Sequence, residues 1–197
     1  MESRNFSGST GASGNFSFSK GKEDIQDIWA SSLNNRGHCK IKLYKDSAGA
    51  KNDAFAALAI FKRAGISYYS MQCYELIGKI TYGQGQIDSS ILYFDSMLLI
   101  SNKYNTKSFT ARAKNGLARA YKTLQQYKKA EQYGNEALEL SKRVRSRIWI
   151  ADSYYVLSEI NRLKGDYYKA YTNYFAGSQY EDSSRNDNNK KAILIEN

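Results

Sequence analysis

Four polar residues between positions 112 and 122 have the types and the spacing of a binding surface. Arg112, Asn115, Arg119 and Lys122 lie at offsets of 0, 3, 7 and 10, which places them on one stripe of an α-helix. Three are cationic, and the asparagine amide can hydrogen-bond a peptide backbone. Such a stripe would suit a carboxylate or an acidic side chain. The alternative is an ordinary solvated helix face, and the four residues alone leave both interpretations open.

Residue types that serve catalysis or metal binding are scarce. The chain has one histidine, His38, in the segment RGHCKIK, which contains no motif; we interpret it as a partly exposed helical residue. The segment GQGQID at 83–88 is half of a dinucleotide-binding fingerprint, but it lacks the third glycine and a preceding strand. A turn between helices explains it better. We therefore expect no enzymatic activity, no cofactor and no metal.

Charge favours acidic partners without naming one. The formal net charge is +10, and the segment KRVRSR at 142–147 concentrates four cations. Either a favourable interaction with a helix dipole or a contact to nucleic acid could explain that segment. Its cations do not spread along one helix face and no nucleic-acid-binding module is apparent. Nucleic acid is therefore not an expected partner.

The chain contains no proline, so long uninterrupted helices are permitted. No apolar run approaches the roughly 18 residues of a membrane span, and the N-terminus lacks the apolar segment of a signal peptide. We expect a cytoplasmic protein. Ten of the first 22 residues are glycine or serine, which predicts a flexible tail over 1–22.

The elements that position the polar stripe repeat at an interval of 40 residues. The stretch GDYYKAYTNY, which begins at position 165, contains a glycine, a large apolar residue two positions later and a small residue five positions later. With glycine or glutamine at the first position, the pattern recurs 40 and 80 residues earlier: Gly165, Tyr167, Ala170; Gln125, Tyr127, Ala130; Gly85, Ile87, Ser90. A fixed period of about 20 to 50 residues is typical of a solenoid.

Each repeating unit contains two helical patterns. Apolar and small residues recur at helical spacing over 111–124 and again over 127–140, on either side of the repeated turn. Small residues at Ala118 and Ala130 would let the two helices approach closely. Gly78 with Ser90, and Ser158 with Ala170, occupy the same places in the neighbouring units. We expect helix pairs whose turns lie near 85, 125 and 165.

These residues resemble the tetratricopeptide repeat (TPR). The match is nearly complete in GLARAYKTLQQYKKAEQYGNEALEL (116–140), good in the second half of VLSEINRLKGDYYKAYTNYFAGS (156–178) and looser in ELIGKITYGQGQIDSSILYFDSMLLI (75–100). The resemblance implies an all-α fold, namely a TPR-like α-solenoid of antiparallel helix pairs in a right-handed superhelix. The 40-residue period, against the usual 34 or so, is similar to a long-repeat subclass.

The resemblance also divides the chain. We expect a flexible tail over 1–22, N-terminal helices that form a degenerate repeat or cap over 23–65, three TPR-like repeats over 66–182, and an exit helix over 183–197. The last segment, GDYYKAYTNYFAGSQYEDSSRNDNNKKAILIEN, is similar to the end of TPR arrays in bacterial two-component sensor kinases.

In the TPR family, the first helix of each pair lines a concave groove that binds peptides. The resemblance implies three rows of groove residues: Gln72, Glu75, Lys79, Tyr82; Arg112, Asn115, Arg119, Lys122; and Asp152, Tyr155, Glu159, Arg162. Among these, the predicted peptide-binding residues are Lys79, Tyr82, Arg112, Asn115, Arg119, Lys122, Tyr155 and Arg162.

The resemblance thus implies a non-enzymatic protein–protein interaction module that binds a peptide segment in the concave groove, and the cationic stripe favours an acidic one. The alternative is a sensory or regulatory TPR segment of a bacterial signalling protein of the two-component type, without its output domain. The sequence indicates no oligomeric state.

Overall fold

Helices make up all the regular structure of the computed structural model, which describes residues 13–65 and 67–195. The helices are α1 (Ser13–Cys39), α2 (Ser47–Arg63), α3 (Ser67–Gly83), α4 (Ile87–Lys103), α5 (Lys107–Thr123), α6 (Tyr127–Arg143), α7 (Arg147–Leu163) and α8 (Tyr167–Ile195). A five-residue π-helical turn, Lys40–Tyr44, follows α1. These ranges contain no strand, and the predicted all-α fold is confirmed.

The turns between the helices recur at a strict interval. Each helix from α2 to α7 has 17 residues. Between successive helices one residue has a left-handed backbone, and the seven such residues lie 20 positions apart, at Lys45, Gly65, Gly85, Asn105, Gln125, Arg145 and Gly165, with φ between 49° and 83°. The predicted turns near 85, 125 and 165 are therefore confirmed.

Hydrogen bonds close these turns in one recurring way. The N–H of Gly85 donates to the carbonyl of Tyr82 (3.0 Å), and the N–H of Gln86 donates to the carbonyl of Thr81 (2.9 Å). The same pair of bonds recurs 40 residues later, where Gln125 and Gln126 are the donors. This is the Schellman arrangement, which satisfies the last carbonyls of a helix and requires a left-handed residue. Glycine adopts that conformation readily, whereas a residue with a Cβ is strained in it.

The helices pack as a stack of antiparallel pairs. Each helix contacts the one before and the one after it, and in addition α1 contacts α3, α3 contacts α5, and α5 contacts α7. The first helices of the pairs therefore form an inner layer. The second helices, α4, α6 and α8, form an outer layer and make no such contacts with one another in the described part of the chain.

Small residues allow the two helices of a pair to touch. The hydroxyl of Ser90 donates to the backbone carbonyl of Gly78 (2.9 Å), and that of Ser158 donates to the carbonyl of Ala170 (2.7 Å). In the middle pair, Ala118 and Ala130 are both completely buried. The predicted close contacts are confirmed. Because no large side chain separates the two helices of a pair, a serine hydroxyl on one helix reaches a backbone carbonyl of the other.

A buried carboxylate, paired with a more exposed arginine, attaches α1 to α2. Asp53, which is 6% exposed, accepts from the Arg36 guanidinium at 2.7 and 2.8 Å and from Lys40 Nζ at 3.0 Å. The hydrogen bond from Arg36 is the main reason that the pKa of Asp53 falls to about 2. The pKa of Asp53 is lower in the folded protein than in the unfolded chain. The ion pair therefore stabilises the fold fully above the unfolded pKa, and this stabilisation is lost as the pH falls towards 2.

The two ends of the chain differ from the predicted boundaries. Helix α1 begins at Ser13, inside the stretch predicted as a tail over 1–22, and residues 1–12 lie outside the described residues. Helix α8 runs without a break from Tyr167 to Ile195, so the predicted exit helix over 183–197 continues the last repeat. Residues 196 and 197 also lie outside the described residues, and the proposed domain boundaries stay predictions.

Ala130→Leu should lower the free energy of unfolding by roughly 1–3 kcal/mol, because three extra carbons must enter a closed contact between α5 and α6. Urea denaturation followed by far-ultraviolet circular dichroism measures this change. Lys128→Leu, on the exposed side of the same helix, is the control and should change the stability little. Equal effects of the two substitutions would contradict the packing register.

Two substitutions at equivalent turn positions should have opposite effects on stability. Gly85→Ala should destabilise by about 1 kcal/mol, because its φ is +75° and an added Cβ meets no atom within 4 Å, so the cost is purely conformational. Gln125→Gly relieves the same strain and should raise the free energy of unfolding by up to about 1 kcal/mol. This figure is net, because glycine also increases the conformational entropy of the unfolded chain. Chemical denaturation that gave both changes the same sign would contradict this account.

Candidate functional site

A cavity of about 470 Å³ opens on the inner layer, between α3, α5 and α7. Five of the predicted peptide-binding residues line it: Lys79, Tyr82, Arg112, Asn115 and Arg119. The rest of its wall consists of Glu75, Phe94, Gly116, Ile148, Trp149 and Asp152. Lys122, Tyr155 and Arg162 are not among the residues that line it. The inner helices therefore bring together most, but not all, of the predicted site.

A buried carboxylate lies at one end of the cavity. Glu75 is 2% exposed and forms ion pairs with Lys79 Nζ at 2.7 Å and with the guanidinium of Arg112. Burial alone would raise the pKa of Glu75, but the two cations outweigh it and the pKa is lowered. Glu75 is thus held as an anion, and it links α3 to α5.

Arg112 is held by rings as well as by charge. Its Cζ atom lies 4.8 Å from the ring centroid of Phe109 and 5.5 Å from that of Trp149. A guanidinium over aromatic faces is attracted by the negative face of the ring system. Arg112 on α5 therefore contacts α3 through Glu75 and α7 through Trp149, and it joins three inner helices.

Asn115 presents an unused hydrogen-bond acceptor. Its Nδ2 atom donates to Asp152 Oδ2 at 3.1 Å and to Ser153 Oγ at 2.9 Å, and the residue is only 4% exposed. Its Oδ1 atom is buried and has no hydrogen-bond partner. Leaving a buried acceptor unpaired costs about 1–3 kcal/mol. Asn115 is one of the residues that line the cavity, and a ligand N–H group that reached this oxygen would remove the cost.

The predicted cationic stripe exists, but its charges are paired. Arg112 pairs with Glu75, Arg119 with Asp152, and Lys122 with Glu159. The three carboxylates come from the neighbouring inner helices α3 and α7. The stripe therefore presents less net positive charge than its sequence indicates, and the charge argument for an acidic ligand at this stripe is weakened.

The remaining predicted residues lie around the cavity. Tyr82 is half-buried, and its hydroxyl lies 3.0 Å from that of Thr123. The hydroxyl of Tyr155 donates to Glu181 at 2.6 Å, a bond that is the main reason its pKa rises to about 12. Arg162 is exposed near the end of α7. Tyr155 and Arg162 are therefore placed beyond the cavity rather than in it.

Sequence reasoning missed the aromatic wall. Trp149 and Ile148 come from the start of α7, and Phe94 comes from α4. Trp149 lies 40 residues after Phe109 and 80 after Tyr69, so an aromatic residue occupies this position in all three repeats. The period alone could have indicated it, because equivalent positions on successive inner helices face the same side.

Other sequence features have simple structural explanations. GQGQID forms the turn between α3 and α4, and His38 is a partly buried residue of α1. KRVRSR covers the end of α6 and the following turn, where cations are favourable for the helix dipole. The described side chains include no group of three or more His, Cys, Asp or Glu residues that could hold a metal ion. In the same part of the chain, no helix is both long and apolar enough to cross a membrane.

Comparison with protein families agrees with the repeating geometry. A family model described as tetratricopeptide repeat matches residues 69–143 and 109–174, which together span more than half of the chain. The chain belongs to the tetratricopeptide repeat family. A search of curated protein sequences found no match.

Solved structures show the same TPR fold. The apo form of RapI has a TM-score of 0.71 at 19% identity over 81% of this chain. A Rap protein complexed with competence and sporulation factor has a TM-score of 0.71 at 18% identity over 82%. A signal transduction ATPase of the STAND class with a tetratricopeptide repeat sensor, from Pyrococcus horikoshii, has a TM-score of 0.54 at 19% identity over 90%. This TPR chain spans 58%, 45% and 34% of those three proteins.

Two cations of the stripe should differ sharply in their contribution to stability. Arg112→Ala leaves the buried Glu75 with one partner and should cost roughly 2–4 kcal/mol of unfolding free energy. Lys122→Ala removes a pair whose acid, Glu159, has a half-exposed side chain, and should cost less than about 1 kcal/mol. Urea denaturation of both variants measures the difference.

A second substitution identifies the cause. If the buried charge is responsible, Glu75→Gln in the Arg112→Ala background should restore part of the lost stability. An additive double mutant would mean that Arg112 acts through its ring contacts alone.

Proposed function

We propose that this TPR protein is a non-enzymatic interaction module that binds an extended peptide segment in the cavity between α3, α5 and α7. The observation that carries the proposal is the unpaired Oδ1 atom of Asn115, which is buried in a residue that lines the cavity. A peptide backbone supplies N–H donors at regular intervals along its length, whichever side chains it carries. An acceptor fixed in the inner layer would fit such a ligand.

The shape and chemistry of the wall support the same ligand class. Trp149 and Ile148 contribute apolar surface to the cavity wall, and the paired charges of Glu75, Arg119 and Asp152 contribute polar groups. Pockets that combine apolar walls with a few positioned polar groups are typical of ligand sites. Because the ion pairs of the inner helices hold these groups in place before binding, little ordering remains to oppose association.

A peptide in this cavity would lie alongside the remaining predicted residues. Lys79 and Tyr82, which line the cavity on α3, would contact the peptide there. Lys122, Tyr155 and Arg162 would contact a peptide that extends beyond the cavity. An acidic ligand stays part of the proposal because of the net charge of +10. A cytoplasmic location is also part of the proposal.

The second candidate function is a sensory or regulatory segment of a larger signalling protein. Among the structurally similar proteins, one Rap protein is complexed with competence and sporulation factor, and one signal transduction ATPase carries a TPR sensor. The predicted resemblance to the repeat arrays of sensor kinases, and to the long-repeat subclass, is an argument for this second candidate function. Both candidate functions place the ligand in the inner groove.

The proposal can be tested with a displayed library of random linear peptides. The native protein should enrich defined sequences, and Asn115→Leu should weaken their binding roughly tenfold or more, because a ligand N–H loses its acceptor. The affinities can be read from tryptophan fluorescence in a Trp29→Phe background, where Trp149 is the one remaining tryptophan.

The matched control is Asn161→Leu. Asn161 is 3% exposed and also has an unpaired Oδ1 atom, but it does not line the cavity. It should change stability about as much as Asn115→Leu while leaving peptide affinity unchanged. Failure to enrich any peptide, or equal loss of affinity in both variants, would overturn the groove assignment.

A further inference from the structure

A second cavity, of about 420 Å³, lies beside the first, between α1, the π-helical turn, the start of α2 and α3. Lys79 lines both cavities, so the two are neighbours on either side of this side chain. The floor of the second cavity is apolar and includes the buried Leu76 and Ile80. Its polar groups include the side chains of His38, Lys42 and Lys79.

The charge balance of this second cavity differs from that of the first. The described residues that line it include two lysines and a histidine but no carboxylate. Neighbouring cations of the same segment are engaged elsewhere, since Arg36 and Lys40 both pair with Asp53. The adjacent acid, Asp46, caps α2 by accepting from the N–H of Gly49 at 2.8 Å. Lys79 is paired with Glu75, so the exposed Lys42 is the lysine of this wall that has no carboxylate partner among the described residues.

We propose that this second cavity binds a carboxylate of the same peptide that occupies the first, from an acidic side chain or a chain terminus. The inference rests on the proposed function, because it assigns one end of that ligand. A carboxylate would accept hydrogen bonds from the Lys42 ammonium group and the imidazole, and the carbon chain that carries it would lie on the apolar floor.

The environment of His38 supplies a spectroscopic test. Burial lowers the pKa of His38; Glu75 on α3 acts in the opposite direction, and Lys79 on α3 and Arg112 on α5 lower it further. A bound carboxylate would favour the charged imidazole and raise this pKa. Acidic ligands should therefore bind more tightly as the pH falls through the ordinary histidine range towards the lowered pKa of the free protein.

Three short probes distinguish the sources of the carboxylate. The first is the tripeptide Glu-Glu-Glu with both termini blocked, the second is blocked Gln-Gln-Gln, and the third is Gln-Gln-Gln with an unblocked C-terminus. Because the chain has one histidine, its imidazole resonances report on this cavity alone. We expect them to shift, with a rise in the His38 pKa, for the first or third probe and not for the second.

Lys42→Met should weaken binding of the responding probe roughly fivefold or more, because it removes a charge-assisted hydrogen bond. Lys128→Met, an equal charge change on the outer helix α6, is the control and should have no effect. No imidazole shift with either acidic probe, or equal losses in the two variants, would overturn the inference.

The two proposals fail separately. Library peptides that depend on Asn115 but show no preference for an acidic residue or a C-terminal carboxylate, and that are insensitive to Lys42→Met, would leave the groove assignment standing and remove the carboxylate site. An imidazole shift with acidic probes, in a protein that enriches no peptide, would instead contradict the peptide groove and identify an independent anion site.

Discussion

The left-handed residue that ends each helix is the constraint on which the rest of the structure depends. It recurs every 20 residues, so that successive helices have one length and one connecting geometry. Every second helix therefore returns to the inner layer in the same orientation, and residues about 40 apart in the sequence become neighbours. A single residue inserted within one helix would rotate the side chains that follow it by about 100° and direct a different face inward.

This spacing explains the polar contacts of the groove. Glu75 with Arg112, Asn115 with Asp152, and Lys122 with Glu159 are each separated by 37 residues, three fewer than the period. Three residues make nearly one helical turn. Each pair therefore joins one turn of an inner helix to the adjacent turn of the next inner helix. The ion pairs thus follow from the period, and they hold the groove side chains in defined positions before any ligand binds.

Much of the fold could be predicted from the sequence because its determinants are local. The glycine at 165, the glutamine at 125 and the small residues at 78 and 90 indicate turns and close contacts without knowledge of the tertiary structure. The aligned stripe of Arg112 to Lys122 was predictable for the same reason. Its pairing was not, because each carboxylate partner lies on another helix. The N-terminal segment keeps the turn spacing at Lys45 but lacks the repeated residue pattern, and its π-helical turn has no sequence signal of this kind.

The pairing changes what determines selectivity in the groove. Where each cation already has a carboxylate, a ligand's charge gains little from displacing it, because a separated buried ion pair must be replaced by contacts of equal strength. Under the proposed function, selectivity would then depend on polar atoms that the fold leaves unpaired, such as Asn115 Oδ1, and on the wall around Lys42. A net charge of +10 would favour acidic molecules near the surface, and these few groups would distinguish among them.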